Sequence, residues 1–439
     1  MYIPVKGKLV ISQIMATTWV FFSIYVAQPW IRDLANTFSL AAAWLIVAGI
    51  ALIPGWANAF LVAGLTLDHR PRFDLDRSLP PVTILIAAYN EEKCIGETLA
   101  SIFEQHYSGE MEVIVIDDGS VDATAAVARE AFVGCAGDKN CRLKILSMPA
   151  NSGKSNALNR GLQEAAHDII ITIDADTYLY PESLARLVIN LVEGPGNTAA
   201  IAGTVLVRNS RESLLARLQE WDYFLGISVV KRIQSLYQGT LVAQGAFSTY
   251  RKEAILEAGG WSNRVGEDIV LTWAFLERGY RVGYAENAFA FTNVPETYAQ
   301  FFRQRRRWAR GLIEAFKCHP RVLVRPRLVS PFVLFNFLFP YLDLVFLTVF
   351  VPGILAAVFF QYYAVVGLMT LLLLPLMLMV NIIMFYNQRR IFRRHGLRVR
   401  KNLMGAVFYM LTFQLIMAPA SFLGYMSEFL NLKRSWGRR

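Results

Sequence analysis

Four stretches of this 439-residue chain, residues 9–31, 34–67, 344–388 and 402–427, contain no Asp, Glu, Lys or Arg. In a helix rising about 1.5 Å per residue, ~20 apolar residues cross the ~30 Å hydrocarbon layer of a membrane, so each stretch is long enough to span it. A chain laid out this way must bury the backbone polar groups of its ends inside helices. Only residues 68–327 have the mixed composition of a water-soluble domain. With 54% apolar and 18% charged residues, the whole chain is too apolar for an ordinary soluble enzyme and reads as an integral membrane protein.

The first apolar run is too long for a signal-peptide core, and no clear small-x-small site precedes Arg32 and Asp33, so it reads as a retained helix. Residues 9–30 and 39–65 form a helical hairpin, giving an N-terminal transmembrane region over 1–67. Lys6 and Lys8 before it, and Arg70, Arg72 and Arg77 after it, place both its ends in the cytoplasm by the positive-inside rule. A linker over 68–80, with Pro71, Pro80 and Pro81 in or beside it, leads into a cytoplasmic domain over 68–300. Amphipathic interface helices follow over 301–329, then a C-terminal transmembrane region over 330–439 with about three helices. Its apolar block, residues 330–386, breaks near Gln361-Tyr-Tyr363, which makes five crossings the simplest count for the chain. That count puts the basic loop 387–401 in the cytoplasm but leaves Lys433, Arg434, Arg438 and Arg439 outside, against the charge rule.

The formal charge of +10 is concentrated beside the membrane: five Arg lie between Arg303 and Arg310, and seven Arg or Lys between Arg389 and Lys401. Anionic membrane lipids and phosphate substrates account for these clusters, and no nucleic-acid partner is expected. Cys94, Cys135, Cys141 and Cys318 are scattered without zinc or disulfide spacing and read as reduced structural residues.

Within the soluble interval, apolar strands alternate with helices. Val82-Thr-Ile-Leu-Ile-Ala-Ala88 and Glu112-Val-Ile-Val-Ile-Asp-Asp118 are continuous apolar strands, followed by residues 143–146 and 168–173. Helices are expected over 94–105, from Gly119-Ser-Val-Asp-Ala-Thr124 onward with Ser120 or Asp122 as cap, over 156–165 and over 269–278. Strands that are apolar throughout point to a parallel sheet covered on both faces. The fourth strand runs into Ile171-Thr-Ile-Asp-Ala-Asp-Thr177, so Asp117, Asp118, Asp174 and Asp176 all fall at carboxyl ends of strands, where such sheets bind ligands. Two carboxylates with no His or Cys nearby suit Mg²⁺ or Mn²⁺ bridging to phosphate oxygens, although an isolated Asp-x-Asp triplet is more often a solvated turn.

The ordered set Ala88-Tyr-Asn-Glu91, Ile116-Asp-Asp-Gly-Ser120, Asn151-Ser-Gly-Lys154, Asp174-Ala-Asp176, Gln244-Gly-Ala-Phe247, Gly266-Glu-Asp268 and Gln304-Arg-Arg-Arg-Trp308 resembles the processive family 2 glycosyltransferases. These are the membrane synthases of poly-β-1,6-N-acetylglucosamine, cellulose, chitin and hyaluronan. The resemblance implies an α/β, Rossmann-like glycosyltransferase A-type domain inserted between transmembrane helices, in a bacterial inner membrane. It implies a UDP-sugar donor, most simply UDP-N-acetylglucosamine, a divalent Mg²⁺ or Mn²⁺ cofactor and a growing polysaccharide acceptor. A small membrane accessory subunit is a further partner it admits.

The resemblance assigns Tyr89, Glu91, Asp117 and Asp118 to the uridine side, with helix-capping and turn formation as the bland alternatives. Lys154 and Arg307 are assigned to the diphosphate, Asp176 to the principal metal contact, and Asp174 to the sugar or the metal shell. Asp268, with Glu267 beside it, is the catalytic base; the alternative is a pair of acids favouring a helix dipole. Gly266 departs from the Thr found before this pair in the cellulose and poly-N-acetylglucosamine branches. Gln244 and Gly245 are assigned to the acceptor, as are Gln304 and Trp308, which share a helical face with Arg307. Trp221, Tyr223 and Trp261 either extend that platform or fill the core, the commoner role. Asp343, an acid within the apolar block, either lines a polymer channel or lies near the membrane face. The rival functions are a synthase of another β-linked polymer (hyaluronan, chitin or glucan), transfer of one sugar to a lipid carrier, and a channel whose domain only senses nucleotide sugars.

Overall fold

The computed structural model describes residues 3–70, 78–133 and 140–432. Pro71, Arg72, Arg77, Cys135, Lys433, Arg434, Arg438 and Arg439, which entered the sequence reading, lie outside the described residues. The chain divides into an α/β unit and a helical unit.

Among the described residues, the α/β unit comprises those within 70–298 and 311–325. Its sheet is built from β1 (Val82–Ala88), β2 (Met111–Asp117), β3 (Cys141–Ser147), β4 (Ile169–Ile173), β5 (Tyr178–Leu179), β6 (Thr198–Val207), β7 (Phe247–Arg251) and β8 (Arg281–Thr292). The eight strands lie in the order β3-β2-β1-β4-β7-β6-β8-β5. The first four pair in parallel, as their unbroken apolar runs require. Ile84, Leu85, Ile86, Ile114, Val115, Ile170 and Ile171 are fully buried, each side chain contributing about 1.5–3 kcal/mol by leaving water. From β7 onward the sheet departs from the all-parallel expectation: β7 runs antiparallel to both β4 and β6, while β6 and β8 are parallel. The order reverses between β2-β1 and β4, so the switch point lies between the carboxyl ends of β1 and β4.

Helices Ile95–Phe103, Thr124–Val133, Lys154–Glu164 and Glu267–Glu277 agree with the expected ones to within a turn. Asp122 rather than Ser120 starts the second of these, its carboxylate accepting from the Thr124 amide at 3.0 Å. Arg70, one of the basic residues after the hairpin, is fixed inside this unit. Its guanidinium donates to the carbonyls of Tyr284 and Arg232 at 2.8 and 2.6 Å, and Arg70 and Arg232 share Glu286.

Among the described residues, the helical unit comprises 3–69, 299–310 and 326–432. Among the described residues, Val5–Val26, Leu40–Leu67, Phe339–Phe360 and Leu403–Phe429 are the four helices long and apolar enough to cross a membrane. A further helix, Leu373–Arg394, ends in a basic turn. The break anticipated near Gln361 is real: Gln361 adopts φ 53°, which ends its helix. Asp343 is buried, accepting hydrogen bonds from Gln414 at 2.9 Å and from Tyr425, both on the last helix. It is therefore an internal polar link, a role that offsets the cost of an acid at this depth.

Candidate active site

Three loops at the carboxyl ends of β1, β2 and β4 build one edge of the site. The first two are joined by reciprocal hydrogen bonds. Asn90, at φ 57°, donates its amide to Ser120 Oγ at 2.9 Å and accepts from the Val121 amide at 3.0 Å. The Glu91 amide donates to Thr124 Oγ1 at 2.8 Å, and Glu92 accepts from the Ala123 amide at 3.0 Å. This network explains the Tyr-Asn-Glu-Glu sequence after β1: Asn and Glu form the loop, leaving Tyr89 exposed at 44% with its ring available to a ligand.

Asp117 and Asp118 are both buried. Asp117 accepts from the Ser120 amide at 3.0 Å, closing the turn through Gly119, whose φ of +73° only glycine adopts freely. A Cβ on Gly119 would also lie 2.7–2.9 Å from the backbone of Ala150 and Asn151. Asp118 uses both carboxylate oxygens on the next loop: Oδ1 accepts from the Ser152 amide and hydroxyl, and Oδ2 from the Gly153 amide, all at 2.8 Å. Its visible work is to fix the loop that ends in Lys154.

Lys154 opens its helix and donates to Asp174 Oδ1, with Glu267 Oε1 3.8 Å from the same ammonium. Burial alone would push this lysine down. The charges of Asp174, Glu267 and Asp268 outweigh burial and hold Lys154 well above the ordinary lysine range. Gly245 lies against this lysine: a Cβ there would sit 2.8 Å from Lys154 Nζ. Asp176 accepts from Thr292 Oγ1 at 3.4 Å. Among the described residues there is no cluster of three or more His, Cys, Asp or Glu side chains that could hold a metal alone. The site instead supplies hard carboxylate oxygens on one loop, the donor set with which Mg²⁺ binds jointly to a protein and a substrate's phosphates. Of the two acids, Asp174 is paired with Lys154.

Glu267 and Asp268 stand at the head of the Glu267–Glu277 helix, which begins at Gly266 without a side-chain cap of its own. Glu314, fully buried on the Tyr298–Cys318 helix, fixes the backbone that leads into it, its Oε2 accepting from the Val265 and Gly266 amides at 2.8 and 3.1 Å. The two helices touch through glycines: a Cβ on Gly266 would lie 2.6 Å from Gly311 Cα. That contact is the physical reason for glycine, not threonine, before this acidic pair. Trp273 and Phe316 extend the contact edge to face at 4.6 Å. Asp268 accepts from the Ile269 amide at 2.8 Å, and its backbone carbonyl accepts from Thr272 Oγ1, whose oxygen in turn receives the Ala243 amide at 2.9 Å.

Lys154 thus has Asp174, Gly245, Glu267 and Asp268 around it. Gln244 is less open than expected. Its Nε2 donates to the Gly203 carbonyl at 2.6 Å and to the Phe247 carbonyl at 3.3 Å, and its Oε1 accepts from Lys231. Trp261 and Tyr223 are buried; Trp261 packs edge to face on Tyr250, and Tyr223 joins a small apolar cluster with Val207 and Val294. Trp221 contacts Phe224 edge to face at 6.0 Å.

Gln304, Arg307 and Trp308 lie on the part of the Tyr298–Cys318 helix that belongs to the helical unit. Arg307 is exposed and Trp308 is 39% exposed. The neighbouring arginines differ from a uniform lipid-facing run. Arg305 is buried, its guanidinium 4.3 Å from the centroid of the Trp308 ring. Arg306 donates to Ser427 Oγ, and Arg310 pairs with Glu428 at 3.0 Å in a buried ion pair. The sequence reading missed Lys231, Glu314 and Arg305. For Arg305 a signal existed, since it falls inside the Gln304–Trp308 motif, but the basic run hid it.

The sheet and the helices that cover it form an α/β domain of glycosyltransferase A-type fold. Residues 83–259 match the family described as Glycosyl transferase family 2. The chain is 32% identical over 247 residues to the poly-β-1,6-N-acetyl-D-glucosamine synthase of Staphylococcus aureus strain COL, a span covering 56% of this chain and 58% of that synthase. The synthase of Staphylococcus epidermidis matches at 32% over 231 residues, 52% of this chain and 54% of its own length. The chain therefore spans little more than half the length of these curated relatives. In structure it resembles the mannosyltransferase PcManGT from Pyrobaculum calidifontis, solved with GDP-Man and Mn²⁺. The TM-score is 0.63 at 19% identity, over 88% of this chain and 98% of that one, a likeness of fold.

Proposed function

We propose that the protein is a membrane-embedded, inverting, processive glycosyltransferase that extends a β-linked polysaccharide from a UDP-sugar and passes the polymer through its own helices. The favoured donor is UDP-N-acetylglucosamine and the favoured product poly-β-1,6-N-acetylglucosamine. The observation that carries this reading is the convergence of Asp268 with Lys154, Asp174 and Glu267 at the switch-point edge. The sequence likeness to the staphylococcal synthases supports the choice of sugar. The apolar helices and flanking charges support a bacterial inner-membrane location with the α/β unit in the cytoplasm.

In the proposed reaction the uridine lies against Tyr89 and the loops after β1 and β2. Asp268 takes the proton of an acceptor hydroxyl as that oxygen attacks the anomeric carbon, and the bond from that carbon to the diphosphate oxygen breaks on the opposite face. Lys154 meets the negative charge that develops on the diphosphate. A bound Mg²⁺ or Mn²⁺, held by Asp176 with support from Asp174, would supply further neutralisation of the leaving group. The motif assigns Arg307 to the diphosphate and Gln304 and Trp308 to the acceptor sugar.

The test is turnover of a panel of UDP-sugars by the purified full chain in lipid, wild type against Asp268→Asn. The expected result is UDP release with UDP-N-acetylglucosamine, falling about 10²–10⁴-fold in the variant. Full activity of Asp268→Asn would remove the base assignment, and no UDP release by the wild type from any of the panel would leave the sensing-channel alternative standing.

A further inference from the structure

The helix Ile95–Phe103 follows the Tyr89–Glu92 loop and sets Ile95, Leu99 and Ile102 in the core. Its buried side also carries two hydroxyls. Thr98 and Ser101, each 2% exposed, share a face at i and i+3, and buried Gln105 follows just past the helix end. Polar groups in such places are costly unless they are bonded. A hydroxyl in mid-helix ordinarily bonds back to the preceding turn of its own helix. Ser101 does so, donating to the Thr98 carbonyl at 2.8 Å, and it accepts from the Leu179 amide at 3.1 Å. Gln105 donates to the Tyr180 carbonyl at 2.9 Å and accepts from the Leu184 amide at 3.0 Å. Thr98 leaves its helix altogether, its hydroxyl donating to the Ala175 carbonyl at 2.8 Å. That carbonyl stands between Asp174 and Asp176.

Residues Asp174 to Thr177 form a tight turn, closed by the Thr177 amide donating to the Asp174 carbonyl at 3.0 Å. The Asp174 amide is itself bonded to the Ala246 carbonyl at 3.3 Å. The peptide joining Ala175 to Asp176 is the central peptide of this turn. Rotating a central peptide converts one turn type into another, swinging its carbonyl to the other side and carrying the residue after it to positive φ. Asp176 has negative φ. By holding the carbonyl of this peptide from a buried position, Thr98 fixes its orientation and, with it, the direction in which the Asp176 carboxylate leaves the backbone.

We infer that Thr98 is a positioning residue for the Asp174–Asp176 turn, its hydroxyl presenting these carboxylates to a divalent cation shared with the donor diphosphate. The inference rests on the reading of the two acids as the metal contacts. Groups that orient the ligands of a metal commonly change its affinity by about 10–100-fold when removed. A threonine that merely filled the core would alter thermal stability but leave metal affinity where it was.

The experiment is calorimetric titration of the full chain in lipid with UDP, once with Mn²⁺ and once with a chelator, for wild type, Thr98→Val and Thr98→Ser. Thermal unfolding identifies any variant that fails to fold; should Val do so, Thr98→Ala removes the hydroxyl without branching and is read the same way. The Val variant should lose about tenfold of the tightening that Mn²⁺ gives, with its metal-free affinity unchanged, and Ser should restore the wild-type value. A folded Val or Ala variant with the full Mn²⁺ effect would overturn the inference, as would a Ser variant as impaired as Val. If Mn²⁺ fails to tighten UDP binding by the wild type, or tightens it equally in Asp176→Asn, the metal reading fails and the inference falls with it. Tightening that Asp176→Asn loses and Thr98→Val keeps removes the inference alone.

Discussion

Asp117 and Asp118 show how far residue type and residue role can separate. Adjacent acids after a strand suggest two ligand contacts, but Asp118 spends both oxygens on the Ser152–Gly153 backbone and so sets the loop that presents Lys154. Replacing it with Ala would leave the Ser152 and Gly153 amides without their acceptor, at about 1–3 kcal/mol for each group that stays buried. The expected outcome for Asp118→Ala is weakened UDP binding by isothermal titration, together with lowered turnover; unchanged affinity would detach Asp118 from the site. The motifs announced Lys154, Asp174, Glu267 and Asp268 because their chemistry is carried by residue type at a strand or helix end. Lys231 carried no such mark. Its place depends on an amide fixed by carbonyls of Gly203 and Phe247, distant in sequence, which a linear pattern does not contain.

At the scale of elements, the head of the Glu267–Glu277 helix is set by the Tyr298–Cys318 helix through two features, the Gly266–Gly311 contact and the Glu314 carboxylate. Neither element could be assigned to the other from sequence, since the residues are more than forty positions apart. The parallel strands and their helices were legible because apolar runs and caps are local. The antiparallel turn of the sheet at β7 was not, because Phe247–Arg251 is as short and buried as a parallel strand would be. Two substitutions test the helix contact. Gly266→Thr forces a side chain into the Gly311 backbone and should cost about 1–3 kcal/mol of stability. Glu314→Ala should lower both the thermal midpoint and turnover, whereas Glu314→Gln, which keeps an oxygen acceptor, should restore most of each. Equal damage from Ala and Gln would show that the charge, not the hydrogen-bond geometry, is what the helix head requires.

For the whole molecule, charge-free runs made the helical unit readable at once, and four helices of membrane-spanning length and composition are found among the described residues. The arginine-rich motif was legible as a motif but not as a set of contacts. Composition marks it as a surface, yet Arg306 and Arg310 are bonded to Ser427 and Glu428 of the last helix. Whether the protein polymerises, rather than adding one sugar to a carrier, is decided by its product. The full chain in lipid is to be given labelled UDP-N-acetylglucosamine with Mg²⁺ or Mn²⁺, and the products resolved by size and digested with linkage-specific glycosidases. The expected product is a ladder reaching long chains, degraded by an enzyme specific for β-1,6-linked N-acetylglucosamine. A single labelled sugar per lipid, with no longer species at any time, would contradict it.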